Sequence, residues 1–265
     1  MSFPEFIRQN PYSDIILKDI DEINKDFIIT ETGDKPFKYI ILDNFLKEEV
    51  HREIKNEMID IPVDLNDLYK GELIAPIEGP MLVGYKGDWH DAYRMYPDPG
   101  FDMKMNMFMR SDIAQFLQSF WPEKEFTNEI LIDLHHHRQF SRDGFVHNDY
   151  DPSKFYGDEI YHNMDISYEY AGSNACDMPH GNNRYSMKSL SWAYYIGYGE
   201  KVNEYQAPGG HTALFNPDKL EPVKGVEPIE NRLLMFEIGP NSYHASRTNN
   251  SLYRDVLFGW YHSEM

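Results

Sequence analysis

The sequence predicts a mainly β fold: a jelly-roll core with N-terminal α-helices packed on one of its sheets. Two observations lead there. After residue 126, short runs rich in Ile, Leu, Val, Tyr, Phe and Trp recur with turn residues between them and no helical pattern. Before it, two charged amphipathic segments read as helices. No repeat, low-complexity tract or long linker divides the 265 residues, so the chain reads as a single domain. Residues 1–125 read as its helical and loop support layer and residues 126–265 as its jelly-roll core.

The elements follow in order. The first 30 residues are mixed and are expected to lie as an irregular or helical arm. Phe37–Asp43 reads as a strand between Pro36 and Asn44, and Leu46–Met58 as a helix capped by Asn44. The region 60–108 holds Pro62, Pro76, Pro80, Pro97 and Pro99, which implies loop with short strands. Arg110–Trp121 reads as a second helix, stopped by Pro122. The core strands are Glu129–His137, Ser189–Ile196, His211–Phe215, Arg232–Ile238 and Leu252–His262. Met103, Met105, Met107 and Met109 are read as core filling.

Composition narrows the partners. The formal charge of -19 repels phosphate backbones and anionic membranes, so neither nucleic acid nor membrane is an expected partner. Cys176 is the one cysteine, so no internal disulfide can form. Met1–Arg8 lacks a basic segment followed by an apolar run, and no stretch approaches the roughly 20 apolar residues of a spanning helix. The expectation is a cytoplasmic protein, monomer or homodimer.

In His147-Asn148-Asp149, residues two apart on an extended segment point the same way, so imidazole and carboxylate can meet at one point. Arg232–Ile238 is a strong strand broken by Gly239-Pro240-Asn241 just before His244. His244 would complete two His and one carboxylate, the facial set of non-haem Fe(II) sites. Ten residues on stands Arg254, with Thr248-Asn249-Asn250 as a hairpin turn between. A guanidinium on the metal face can hold a dicarboxylate through two parallel charged hydrogen bonds.

These residues resemble the prolyl-hydroxylase-like branch of the 2-oxoglutarate/Fe(II) oxygenases, over roughly residues 126–264. The shared order is His147 and Asp149, then Ala193-Tyr194-Tyr195-Ile196, Gly209-Gly210 leading into a strand, Asn231–Phe236, His244 and Arg254. A weaker echo lies in Phe37–Leu46. The resemblance implies a double-stranded β-helix that binds Fe(II), 2-oxoglutarate and O2, with ascorbate as reductant. It gives His147, Asp149 and His244 the metal. It places Tyr195 beside Arg254 on the cosubstrate's distal carboxylate, with His137 where several relatives carry a cosubstrate-contacting tyrosine. Val256 departs from relatives that place a hydroxyl two residues after the Arg.

The expected substrate is a small molecule, an amino acid or amine-bearing derivative, hydroxylated at an unactivated C–H bond. Its motive is the stretch 150–188, rich in aromatics and acids, read as a lid in which Tyr150 and Arg184 contact substrate. Rival readings are a peptide prolyl hydroxylase, a cupin-type metal-binding or isomerase protein, and a halogenase, which Asp149 opposes. Of His135-His136-His137, at most two can share a strand face.

Overall fold

The computed structural model describes residues 20–59, 81–87, 92–97, 103–127, 130–138, 141, 143–150, 152–155, 184–199 and 209–264. Strand β1 is Ile28–Gly33 and β2 Tyr39–Asp43; α1 is Glu48–Ile59; β3 is Met81–Gly87 and β4 Ala92–Pro97. A 3-10 helix, Lys104–Met109, leads into α2, Ser111–Gln118. Then come β5 (Ile130–Arg138), β6 (Pro152–Phe155), β7 (Arg184–Tyr198), β8 (Thr212–Phe215), β9 (Pro222–Val226), β10 (Arg232–Glu237), β11 (His244–Ser246) and β12 (Tyr253–Glu264).

The strands form two antiparallel sheets. The larger runs β1-β2-β10-β7-β12-β5-β4-β3, with β6 paired onto β7, and the smaller runs β11-β8-β9. His147 bridges His244, so the His147 segment extends the small sheet. Strand alternation sorts the side chains into two layers. Ala193, Tyr195, Val256, Phe258 and Trp260 of the large sheet meet Leu214 and Val226 of the small one, which forms the jelly-roll interior. On the opposite face, Trp192, Tyr194, Leu257 and Tyr261 pack against Val50 and Ile54 of α1 and Ile113, Phe116 and Leu117 of α2. The helices therefore cover one sheet, as the sequence predicts.

Met103, Met105, Met107 and Met109 are all buried in that second layer, on the 3-10 helix and its lead-in. Four expectations change. β1 is a strand within the stretch read as an irregular or helical arm, because Ile28–Gly33 pairs with β2. Asn44 does not cap α1; it takes a left-handed turn at φ 53 and the helix begins four residues later. Thr248-Asn249-Asn250 is not a hairpin turn: β11 belongs to the small sheet and β12 to the large one, so the chain crosses between sheets there. The stretch 150–188 is bounded by pairing, with Pro152–Phe155 antiparallel to Arg184–Met187; residues 151 and 156–183 lie outside the described residues.

Candidate metal and dicarboxylate site

The small sheet places the three expected ligands together. His147 and His244 exchange backbone hydrogen bonds, His147 N–H to His244 C=O at 3.1 Å and the reverse at 2.8 Å. Asp149 then turns back at φ 52, a left-handed conformation that costs a non-glycine residue roughly 1 kcal/mol or more. Asn148 holds this turn. Its amide donates to Pro240 O at 3.0 Å, and its Oδ1 accepts from the Tyr150 N–H at 3.1 Å. Its carbonyl accepts from Ser242 Oγ at 3.3 Å. The β10–β11 loop thus clasps the near ligand pair to the distal one.

The ring nitrogens settle the donor set. His147 Nδ1 lies 3.0 Å from Phe145 O, and His244 Nδ1 lies 3.0 Å from Ser242 O. A carbonyl only accepts, so each Nδ1 carries a proton, and it is Nε2 of each ring that is turned toward Asp149 and can ligate. His147 Nε2 faces Asp149 Oδ1 at 3.4 Å, and His244 Nε2 faces Oδ2 at 3.3 Å. Opposite a carboxylate oxygen each Nε2 carries either a proton or a share of a cation, and one metal ion between the three satisfies both rings and the carboxylate together. Adjacent ligands of an octahedral ion, each about 2.1 Å from it, lie about 3 Å apart, so the site is close to the size needed. Each residue's ligand atom lies within 4.8 Å of the other two.

Electrostatics agree. Burial pushes the His147 imidazolium down, which favours the neutral form that ligates. Burial alone would raise Asp149, but attraction to His147 and a hydrogen bond with His244 hold it well below the usual carboxylate range. Trp260 Nε1 donates to Asp149 Oδ2 at 3.0 Å and fixes the carboxylate from the large sheet.

Deeper in the interior lies Arg254, fully buried on β12. Its Nη2 reaches Thr212 Oγ1 at 3.4 Å, and its guanidinium sits 5.4 Å over the Tyr195 ring. Tyr195 OH pairs with Thr212 Oγ1 at 2.7 Å. Arg254 Nε and Nη1 have no hydrogen-bond partner among the described residues. Burial pulls Arg254 below its ordinary value, yet no described carboxylate pairs with it, an expensive arrangement unless an anion completes it. The Gly209-Gly210 turn makes room: both residues have positive φ, and a Cβ on Gly210 would stand 2.9 Å from Arg254 Cδ.

His137 faces Arg254 directly across β5 and β12 and is buried. His135 shares its face, with its ring 4.6 Å from Phe258, whereas His136 points outward to Asp255 at 2.6 Å. Tyr150 is exposed beside Asp149, on the protein surface. Arg184 begins β7, but its side chain lies outside the described residues. Sequence reasoning missed Trp260, Thr212, Asn148 and Ser242. Trp260 was within reach, since it lies six residues after Arg254 and therefore on the same strand face.

A double-stranded β-helix with a two-histidine, one-carboxylate cluster and a buried arginine is thus the frame. No protein-family model and no curated protein sequence matches the chain. Among solved structures, it is similar to a prolyl hydroxylase from Trichoplax adhaerens in complex with a hypoxia-inducible-factor oxygen degradation domain peptide fragment. That match has a TM-score of 0.52 and 13% identity, over 85% of this chain and 83% of that one. A prolyl-4-hydroxylase from Pseudomonas putida matches with a TM-score of 0.49 and 15% identity, over 86% and 93%. A collagen prolyl hydroxylase from Paramecium Bursaria Chlorella virus-1 in its 2OG complex gives 0.47 and 13%, over 85% and 96%. The first likeness establishes the fold.

Proposed function

We propose that the protein is an Fe(II)- and 2-oxoglutarate-dependent dioxygenase that hydroxylates a C–H bond. The observation that carries this reading is the fully buried Arg254 guanidinium. Two of its nitrogens lack partners among the described residues, and it shares one interior with a cluster of two histidines and one carboxylate. His147, Asp149 and His244 would hold the metal. Arg254, with Tyr195 and Thr212 beside it, would hold the far carboxylate of 2-oxoglutarate. When bound, the iron with 2-oxoglutarate and O2 supplies the oxidising power for hydroxylation, releasing succinate and CO2.

The chain's own part is positional. The Nδ1–H bonds to Phe145 O and Ser242 O fix both imidazole tautomers. Trp260 orients Asp149. Val256, Phe258 and Phe236 line the interior and exclude water, which strengthens every charge interaction within it. Tyr195 stays protonated, because burial raises its phenol, and so remains a hydrogen-bond donor.

For the substrate, we favour a small amine-bearing molecule, supported by the aromatic and acidic composition of residues 150–188. A prolyl peptide is the second reading, favoured by the shared fold with a prolyl hydroxylase that binds a peptide. Succinate formation with Fe(II), ascorbate and 2-oxoglutarate, screened across free amino acids, their derivatives and proline peptides, separates the two. No stimulation by any of them, with no 2-oxoglutarate binding, would leave the cupin-type reading in place.

A further inference from the structure

Lys188 stands behind the metal site, one ring away from it. A register shift after Tyr261 sets Lys188 of β7 opposite His262 of β12, diagonal to Trp260. Its Nζ lies 4.6 Å from the centre of the Trp260 ring. That indole is buried, and its Nε1 donates to Asp149 Oδ2 at 3.0 Å. Ammonium, indole and carboxylate thus form a chain that ends on an expected metal ligand. The charge is felt there as well. Burial would raise the Asp149 carboxyl, but His147, His244 and Lys188 together hold it well below the usual carboxylate range.

A carboxylate ligand gives negative charge to its ion and so favours Fe(III) over Fe(II). Both links of this chain oppose that bias. The indole N–H draws charge on Oδ2 toward itself and leaves less for the ion. A cation over the indole face pulls electron density from the ring, so the N–H donates more strongly. The field of the ammonium has the same sign, since it penalises the third positive charge of Fe(III). Hydrogen bonds and charges just outside the ligands are known means of setting a metal's potential.

We propose that Lys188 is a positioning residue that, through the Trp260 indole, raises the reduction potential of iron held by His147, Asp149 and His244. The reaction it opposes is the loss of one electron from Fe(II) to O2, giving Fe(III) and superoxide. An electron from ascorbate reverses that loss. This inference rests on the metal-site reading above, and its test separates the two.

The test is the Fe(III)/Fe(II) midpoint potential of the iron-loaded protein, read by mediated spectroelectrochemical titration without 2-oxoglutarate or substrate. Iron retention is measured first, and a parent protein that holds no iron would overturn the metal-site reading and this inference with it. A unit charge roughly 10 Å from the ion, at an effective dielectric of about 20, changes the Fe(III)/Fe(II) ratio about tenfold. Lys188→Met should accordingly lower the potential by about 59 mV, the one-electron equivalent of that factor. Lys188→Arg keeps the charge and should restore most of the parent value. With Trp260→Phe already in place, Lys188→Met should have a much smaller effect. The metal-free protein gives a second reading by NMR. The Trp260 indole N–H resonance, identified by its absence in Trp260→Phe, should move upfield in Lys188→Met and hold its place in Lys188→Arg. Should Lys188→Met fail to retain iron, that resonance decides alone. A potential unchanged or raised in Lys188→Met, an equal fall with and without the indole, or an unmoved resonance overturns the assignment.

Discussion

Replacing Arg254 by Met separates a functional guanidinium from a structural one. The side chain is fully buried, its hydrogen bond to Thr212 is long at 3.4 Å, and two nitrogens lack described partners. Removing a poorly paired buried charge relieves its desolvation cost, and Met is a near match in length. The metal-free, ligand-free variant should therefore be as stable as the parent or more so. The ligand response should differ sharply. Ligand at a hundredfold excess over its Kd stabilises by about 2.7 kcal/mol, and each kcal/mol moves Tm by roughly 2–4 °C in a domain of this size, so the parent should rise by about 5–10 °C. Two charged hydrogen bonds lost at about 1.5–3 kcal/mol each raise Kd by at least a hundredfold, and at the same concentration that shift should almost vanish. Differential scanning fluorimetry of the metal-free proteins reads the first quantity, and of the Zn(II)-loaded proteins with and without 2-oxoglutarate the second. A variant that keeps the full ligand shift, or an unliganded variant destabilised by several kcal/mol, would refute the reasoning.

Gly210→Ala should also weaken 2-oxoglutarate binding, since its Cβ would press on Arg254 Cδ at 2.9 Å from a residue at φ +66; isothermal titration should show the loss with metal affinity intact. Trp260→Phe keeps the ring but removes the Nε1 donor to Asp149, and metal affinity in a competition titration should fall about 10–100-fold. Ser242→Ala deletes the hydroxyl that ties Gly239 to the Asn148 carbonyl and should loosen Zn(II) more than it lowers the metal-free Tm. His51 is buried against Tyr194, at 2.6 Å, and burial lowers its pKa below the ordinary 6.5. Below that value the unfolded chain takes up a proton that the folded one resists, so its contribution to stability is lost as pH falls. Urea unfolding of His51→Gln should show a flatter decline across that window.

Much of this was legible because strand chemistry is local. The runs at Arg232–Ile238 and Leu252–His262 are apolar enough to announce central strands, and the His147, Asp149, His244 and Arg254 spacing carried the site. What stayed hidden depends on pairing between distant segments. β1 carries four β-branched residues in Ile28–Gly33 and was within reach, whereas β9 is poor in strand signal: Pro222–Val226 is exposed over most of its length and held by β8. The crossing after β11 looked like a hairpin because Thr248-Asn249-Asn250 has turn chemistry, whereas Asn249 bridges Gly209 instead.

The central claim is that one ion, held by His147, Asp149 and His244, shares its site with a dicarboxylate held by Arg254. Anaerobic titration of 2-oxoglutarate into the Fe(II)-loaded protein, followed by visible absorption, tests it most directly. Direct chelation of iron by the α-keto acid should give a saturable charge-transfer band at one equivalent, absent in His244→Ala and requiring far more ligand in Arg254→Met. Iron that binds the parent protein without any such band, or a band unchanged in both variants, would contradict the account.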